Sequence, residues 1–272
     1  MKNLAVILML FAACSAITAQ ETSSSFPGED FSLEAALAAF KSAPSLEAFE
    51  NAINEENNNV NNLDLNEDGN IDYVQVEDLV ENDVHVIVLS TYLNRTEKQD
   101  IATIGIEKTG GSTAVLEIVG DEDLYPQNTI VEPYDAEESP RSSKGGPSYE
   151  EIEWNRFVVN VWGWPCVRFI YAPRYVAYVS PFRWGYYPPR WRPWRPYKRQ
   201  VFYTRCAPHR VYYQAAPARR VVYASKIYGP KRHSSTIIIQ KRNRNTIIHQ
   251  NKRGNTKVIS TPRRPAGRHK RH

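Results

Sequence analysis

All 30 Asp and Glu residues of this 272-residue chain lie between Glu21 and Glu153. That segment contains only six Lys or Arg, a net of −24, whereas Trp154 to His272 contains 27 Lys or Arg and no acidic residue, a net of +27. The net charge of the whole chain, +4, conceals this division. A chain split so sharply reads as an acidic domain joined to a basic interaction region, with the two halves attracting each other. The asymmetry speaks of partners and solubility more than of fold.

The N-terminus narrows the compartment. Met1-Lys2-Asn3 followed by the apolar run Leu4 to Ala13 has the cationic start and short hydrophobic core of a secretory leader. Residues 1–19 are read as a signal peptide cut after Ala19, although Phe11-Ala12-Ala13-Cys14 also approaches a lipoprotein box. The expected location is the periplasm, the outer-membrane surface or the extracellular space. The leader's apolar run falls short of the roughly 20 residues that span a bilayer, and no later stretch does better, so no transmembrane span is expected. Cleavage leaves Cys166 and Cys206 in an oxidising compartment, where a disulfide between them is expected against the alternative of two independent thiols.

Along the acidic half the hydrophobic period changes once. Leu33, Ala36, Leu37 and Phe40, then Leu46, Phe49 and Ile53, recur at helical spacing and predict two short helices with Ser32 and Ser45 as N-caps. From Tyr73 the period becomes two. Residues 73–77, 84–92, 103–108 and 113–119 predict strands, with Thr109-Gly110-Gly111-Ser112 as a hairpin turn. The fold class is therefore α+β: helices on one face of a small antiparallel meander over residues 20–134. Residues 135–153 form a linker. Residues 154–199 are rich in Trp, Pro and Arg, with strands expected at 157–162 and 167–171 and extended chain at 188–196. Residues 200–272 repeat β-prone triplets every ten residues: Val201-Phe202-Tyr203, Val211-Tyr212-Tyr213 and Val221-Val222-Tyr223, then sets beginning at Thr236, Thr246 and Thr256. Too short to bury a face alone, they either pair with another strand or remain mostly disordered.

The narrowest motif is Asp64-Leu65-Asn66-Glu67-Asp68-Gly69-Asn70-Ile71-Asp72. Calcium takes six to eight oxygens, and side chains at alternate loop positions converge where glycine permits the tight turn. Asp64, Asn66 and Asp68 supply such oxygens, Gly69 the turn, Asn70 a carbonyl and Asp72 a direct or water-mediated ligand. The motif resembles the calcium loop of EF-hands, dockerins and integrin-type propeller repeats. Gln75 stands where an EF-hand has its bidentate Glu, which implies weak, structural binding. The alternative is an Asx-rich turn that binds nothing.

Arg190, Trp191, Arg192, Trp194 and Arg195 make the second constellation. Guanidinium groups take phosphate, sulfate or carboxylate, and indole faces stack on sugars, bases or cations. Envelope polyanions or an envelope protein are the expected partners, with nucleic acid less favoured; the alternative is arginines stacked on tryptophans in a solvated linker. Phosphate-loop, zincin and serine-hydrolase motifs are absent from the sequence. His85, in an alternating strand, is expected to be half exposed rather than catalytic. Taken together, Asn62-Leu63-Asp64, Val86-Ile87-Val88-Leu89, Ile118-Val119-Gly120-Asp121-Glu122, Val161-Trp162-Gly163-Trp164-Pro165-Cys166-Val167-Arg168 and Pro193-Trp194-Arg195-Pro196 resemble a group of exported proteins of Bacteroidota with no assigned activity. The resemblance implies compartment and layout only. The expected role is a non-enzymatic envelope protein with a calcium-stabilised domain and a cationic aromatic arm. The alternatives are a hydrolase of envelope polymer using the acidic domain's carboxylates, or an assembly component adding strands through the repeats.

Overall fold

The computed structural model describes residues 26–134, 159–250 and 256–260. The leader at 1–19 with its cleavage site and Cys14, the linker at 135–153 and the start of the strand expected at 157–162 lie outside the described residues.

The N-terminal helices form where the sequence spacing places them. The hydroxyl of Ser32 accepts from the Ala35 amide at 3.1 Å to start α1 (Leu33–Ser42), and that of Ser45 accepts from the Ala48 amide at 3.1 Å to start α2 (Leu46–Ile53). Each cap satisfies one of the amides that a helix start leaves orphaned. Leu33, Leu37 and Phe40 of α1 and Leu46, Phe49 and Ile53 of α2 are buried, and Phe40 meets Phe49 edge to face at 5.3 Å.

The sheet is a six-stranded antiparallel meander of β1 (Val74–Glu81), β2 (Val84–Tyr92), β3 (Lys98–Gly110), β4 (Thr113–Gly120), β5 (Ile130–Pro133) and β6 (Tyr213–Ala215), in that spatial order. Its register aligns Ile87 with Ile104, Ile104 with Ile118, and Ile118 with Val131, so one row of branched side chains crosses the sheet toward the helices. Gly111 and Ser112 turn the β3–β4 hairpin, as the sequence suggests. The last strand comes from the basic half: Tyr213, Gln214 and Ala215 pair with Pro133, Glu132 and Val131.

Helices were expected on one face of the sheet, and the structure covers both. Ile87 and Leu89 of β2 join the main core with α1 and α2, whereas Val84, Val86 and Val88 form a second cluster with Val221, Ala224 and Ile227 of the basic half. Apolar side chains on both faces of β2 leave no wet side, and α5 (Val222–Tyr228) supplies the second cover. The fit is close at Gly105 of β3, where an added Cβ would lie 3.0 Å from the Ala224 Cβ and 3.2 Å from the Val221 Cβ.

The rest of the basic half is also built onto the domain. Residues 167–171, expected as a strand, are largely helical: Pro165 opens α3 (Pro165–Ile170), where its fixed φ suits a first turn, and Cys166, Val167 and Ile170 enter the main core. Val161 and Trp164 join them, so the core crosses the charge boundary. Beyond residue 199, where disorder was expected for most of the chain, come α4 (Arg199–Cys206), β6, α5 and α6 (Thr236–Asn245), then a hairpin of β7 (Thr246–Gln250) with β8 (Thr256–Ser260). The ten-residue repeats do not form equivalent strands. Phe202, Tyr213, Val221 and Ile238 are buried, while Val201, Tyr203, Val211, Tyr212, Val222 and Tyr223 stay exposed. Each triplet up to Ile238 thus anchors the chain through one residue, and full burial of an aliphatic or aromatic side chain contributes roughly 1.5–3 kcal/mol.

Charge decides where these anchors land. Arg199 meets Asp30 at 2.5 Å, Arg220 meets Glu132 at 2.7 Å, and Lys241 meets Glu67 at 3.2 Å. Arg232 spans one turn of the acidic half, reaching Asp121 at 2.6 Å, Asp123 at 2.7 Å and Glu122 at 3.2 Å.

The expected disulfide is not formed. Cys166 and Cys206 are free and buried, Cys166 in the core beside the sheet and Cys206 with its thiol 3.1 Å from the Asn59 carbonyl. Helix packing places the two sulfurs in separate surroundings.

The α5 contact yields a thermodynamic test. Gly105→Ala and Ala224→Gly should each destabilise the chain, and together they should cost about 1 kcal/mol less than their sum, because the second makes room for the first. Denaturant melts of the two single variants and the double variant measure this coupling, and strict additivity would contradict the packing.

Candidate binding site formed by the 64–72 loop and the Pro/Trp/Arg strap

The loop is a closed network of Asx turns. Asp64 accepts from the amides of Asp68 at 3.0 Å and Gly69 at 2.9 Å, Asn66 accepts from Asp68 at 2.9 Å, and Asp68 accepts from Asn70 at 2.8 Å. Glu67 and Gly69 have φ of 62° and 86°, and at Gly69 the absence of a Cβ makes that turn inexpensive. Ile71 is buried and fixes the loop to the core, as its apolar character suggests. Asp64, Asn66, Asp68 and Asn70 therefore share one turn and present an oxygen-only donor set, the kind a hard cation takes.

Asp72 behaves differently. It is buried, its carboxylate accepts from the Leu65 amide at 2.6 Å, and burial, reinforced by Asp64 and Asp68 nearby, pushes its pKa up to about 7. Among the described residues no three His, Cys, Asp or Glu side chains stand together as a metal-holding group. Any cation here would rest on Asp64, Asn66, Asp68 and the Asn70 carbonyl, with Asp72 shaping the loop from beneath. Gln75 faces away, its amide donating to the Phe182 carbonyl.

The second constellation lies against the first, a relation invisible in sequence because more than 100 residues separate them. Residues 187–198 cross the loop without helix or strand. The Ile71 amide donates to the Trp194 carbonyl at 2.9 Å, and Asn62 both donates to the Tyr197 carbonyl at 3.0 Å and accepts from its amide at 2.7 Å. These three bonds make the segment a strap clasped to both ends of the loop. Aromatic packing extends the clasp, with Tyr73 edge to face with Trp191 at 5.1 Å and with Phe182 at 5.5 Å, and Tyr187 against Trp191 at 4.8 Å.

The five strap residues divide by role. Trp191 and Trp194 are half-buried packing elements. Arg192 folds back to donate to the Pro189 and Trp191 carbonyls at 2.8 and 2.7 Å. Arg190 and Arg195 are exposed and have no acceptor among the described residues. Between the strap and α2 runs a groove of about 680 Å³, walled by Tyr73, Phe182 and Trp191 on one side and by Glu47, Asn51 and Glu55 on the other.

Two buried polar centres were not foreseen. Glu50 on α2 accepts from the hydroxyls of Tyr73 at 2.8 Å, Ser180 at 2.8 Å and Tyr178 at 3.2 Å, and from the Val76 amide at 3.1 Å. Burial raises its pKa, and these donors pull against that rise. The centre joins α2, β1 and the 178–180 segment, which also pairs with the β1 edge. The second is His85, expected half exposed but 3% exposed in the structure, with Nδ1 2.8 Å from Asp78; Asp78 also accepts from Tyr175 at 2.6 Å. Burial, with Asp78 adding to it, pushes the nearby Cys166 thiol up to about 12. His85, Asp78 and Cys166 are all buried, so the pair sits inside the fold beside the sheet.

Comparison of the chain with family models, curated proteins and solved structures found no match. Among the described residues, no helix is long and apolar enough to cross a membrane.

Proposed function

We propose that the chain is a non-enzymatic, exported envelope protein in which a calcium-stabilised α+β domain presents a cationic aromatic arm to envelope polyanions. The observation that carries this reading is the division of the basic half's cations. Arg199, Arg220, Arg232 and Lys241 are spent on carboxylates of the acidic half, while Arg190 and Arg195 project from the strap without an acceptor among the described residues. The strap's tryptophans hold it against the domain, so these guanidinium groups sit on an anchored segment rather than a loose tail. Phosphate, sulfate or carboxylate groups on polysaccharide or lipid match that chemistry.

Calcium enters as a brace. With Asp64, Asn66, Asp68 and the Asn70 carbonyl as ligands and no bidentate carboxylate at Gln75, affinity is expected in the range of about 10⁻⁴–10⁻³ M. Because the loop is hydrogen-bonded to the strap through Ile71 and Asn62, bracing the loop steadies the arm. The leader-like sequence of residues 1–19 and the resemblance to exported proteins support the location.

Calcium at about ten times its Kd should stabilise the full chain by about 1.4 kcal/mol, raising its melting temperature, and should leave an Asp64→Ala/Asp68→Ala variant unmoved. Equal response, or none in the parent, would reduce the loop to a turn. Retention on heparin, a sulfated polysaccharide, should fall as salt rises from about 0.05 to 0.5 M and should weaken in Arg190→Ala/Arg195→Ala at every salt concentration. Unchanged retention in the variant would sink the arm as the binding surface.

A further inference from the structure

The groove between α2 and the strap is poorly suited to the polyanion that the strap's outer face would attract. Glu47 and Asn51 are exposed on α2 one helical turn apart, and Glu55 and Glu56 follow in the next turns, so one wall carries three carboxylates. Arg190 and Arg192 are the cations on the opposite wall, and Arg192 already donates to strap carbonyls. A chain of closely spaced anions drawn into this cleft would meet like charge within the reach of screening.

The same walls suit an uncharged, hydroxyl-rich ring. The indole of Trp191, held edge to face against Tyr73, and the Phe182 ring supply apolar faces whose positions are fixed before any ligand arrives. Pyranose rings expose C–H faces that stack on such surfaces, while their equatorial hydroxyls donate to carboxylates and exchange hydrogen bonds with amides. Glu47 and Asn51 offer that pair of groups at helical i, i+4 spacing, and the Asn51 side chain has no partner among the described residues. Trp191 and Trp194 line the groove, and their indole N–H groups are buried with no acceptor among the described residues. An unmet buried donor costs about 1–3 kcal/mol, and a sugar oxygen reaching it after a small strap movement would recover part of that. A volume of about 680 Å³ lies within the roughly 300–1,000 Å³ of pockets that hold small ligands.

We propose that this groove is a subsite for uncharged sugar units of an envelope polysaccharide, stacked on Trp191 and hydrogen-bonded by Glu47 and Asn51. This deepens the reading of the strap as a binding surface: Arg195 outside the groove and Arg190 at its rim take the anionic groups of the polymer, and the groove takes the neutral rings between them. Specificity then comes from the groove and salt-sensitive affinity from the rim.

Titration calorimetry of the full chain with cellotetraose and with fully N-acetylated chitotetraose, both neutral, tests the groove, while heparin retention tests the rim. At least one neutral tetrasaccharide should bind, and Glu47→Ala and Asn51→Trp should each weaken it about tenfold or more, about 1.4 kcal/mol. Both substitutions fall on the exposed face of α2, so the melting temperature should hold and heparin retention should persist. No heat from either tetrasaccharide up to about 10 mM, or binding indifferent to both substitutions, would overturn the subsite even if heparin is retained. Cleavage of the tetrasaccharide would overturn a purely binding role. Weakened heparin retention in Arg195→Ala, which lies outside the groove, with neutral binding intact would keep the two surfaces separate, as proposed, and loss of both together would overturn their separation.

Discussion

The structure depends on two halves of opposite charge, neither of which can neutralise itself, closing on one another. Arg232 gathers Asp121, Glu122 and Asp123 on a single turn, Arg220 holds Glu132 beside the last strand, and Arg199 holds Asp30 beside the N-terminal helices. Magnitudes assign the roles. Partly exposed ion pairs contribute about 0–1 kcal/mol each. Each well-buried anchor contributes roughly 1.5–3 kcal/mol, and Phe202, Tyr213, Val221 and Ile238 are buried in series along the basic half. Apolar burial therefore supplies most of the adhesion, and charge selects the place. The register of β6 on β5, with Glu132 opposite Gln214 and bonded to Arg220, shows both at one point.

Once the basic half is docked, the strap has one course. It leaves the β1 edge near Phe182, crosses the 64–72 loop at Trp194, is gripped by Asn62 at Tyr197 and ends at Arg199 on Asp30. The loop, the aromatic cluster and the α2 groove are consequently one neighbourhood. Glu50 underlies it, collecting donors from β1 and from residues 178–180. Cation binding at the loop, anion capture at the rim and ring stacking in the groove would all act on the same short stretch of irregular chain, held by three backbone-directed hydrogen bonds and one aromatic cluster.

Local signals in the sequence carried the acidic half well. Ser32 and Ser45 cap because a hydroxyl can accept an amide three residues on, and the period-two runs became strands because their neighbours are strands. The chain's long-range decisions were not legible. Nothing local to Val84–Val88 says that its second face meets Val221 and Ala224. Val167–Tyr171 reads as β-prone, yet Pro165 starts a helix whose buried stripe overrides that preference. The ten-residue repeat suggested equivalent strands, whereas each triplet meets a different surface and buries a different member. For the site, the motif at 64–72 showed the turn chemistry, and the strap's composition showed stacking and cation chemistry. Their contact through Ile71 and Trp194, and the groove it creates against α2, arise only from the fold.

The most direct measurement is amide hydrogen exchange of the full chain, followed by mass spectrometry and comparing α5 and β6 with the central strands β2 and β3. If the basic half is an integral cover of the sheet, the amides of Val222–Tyr228 and Tyr213–Ala215 that are hydrogen-bonded in these elements exchange orders of magnitude more slowly than unstructured chain, with opening free energies approaching those of β2 and β3. Exchange of those segments at unstructured rates while β2 and β3 stay protected would contradict the account, and with it the strap's fixed course across the loop.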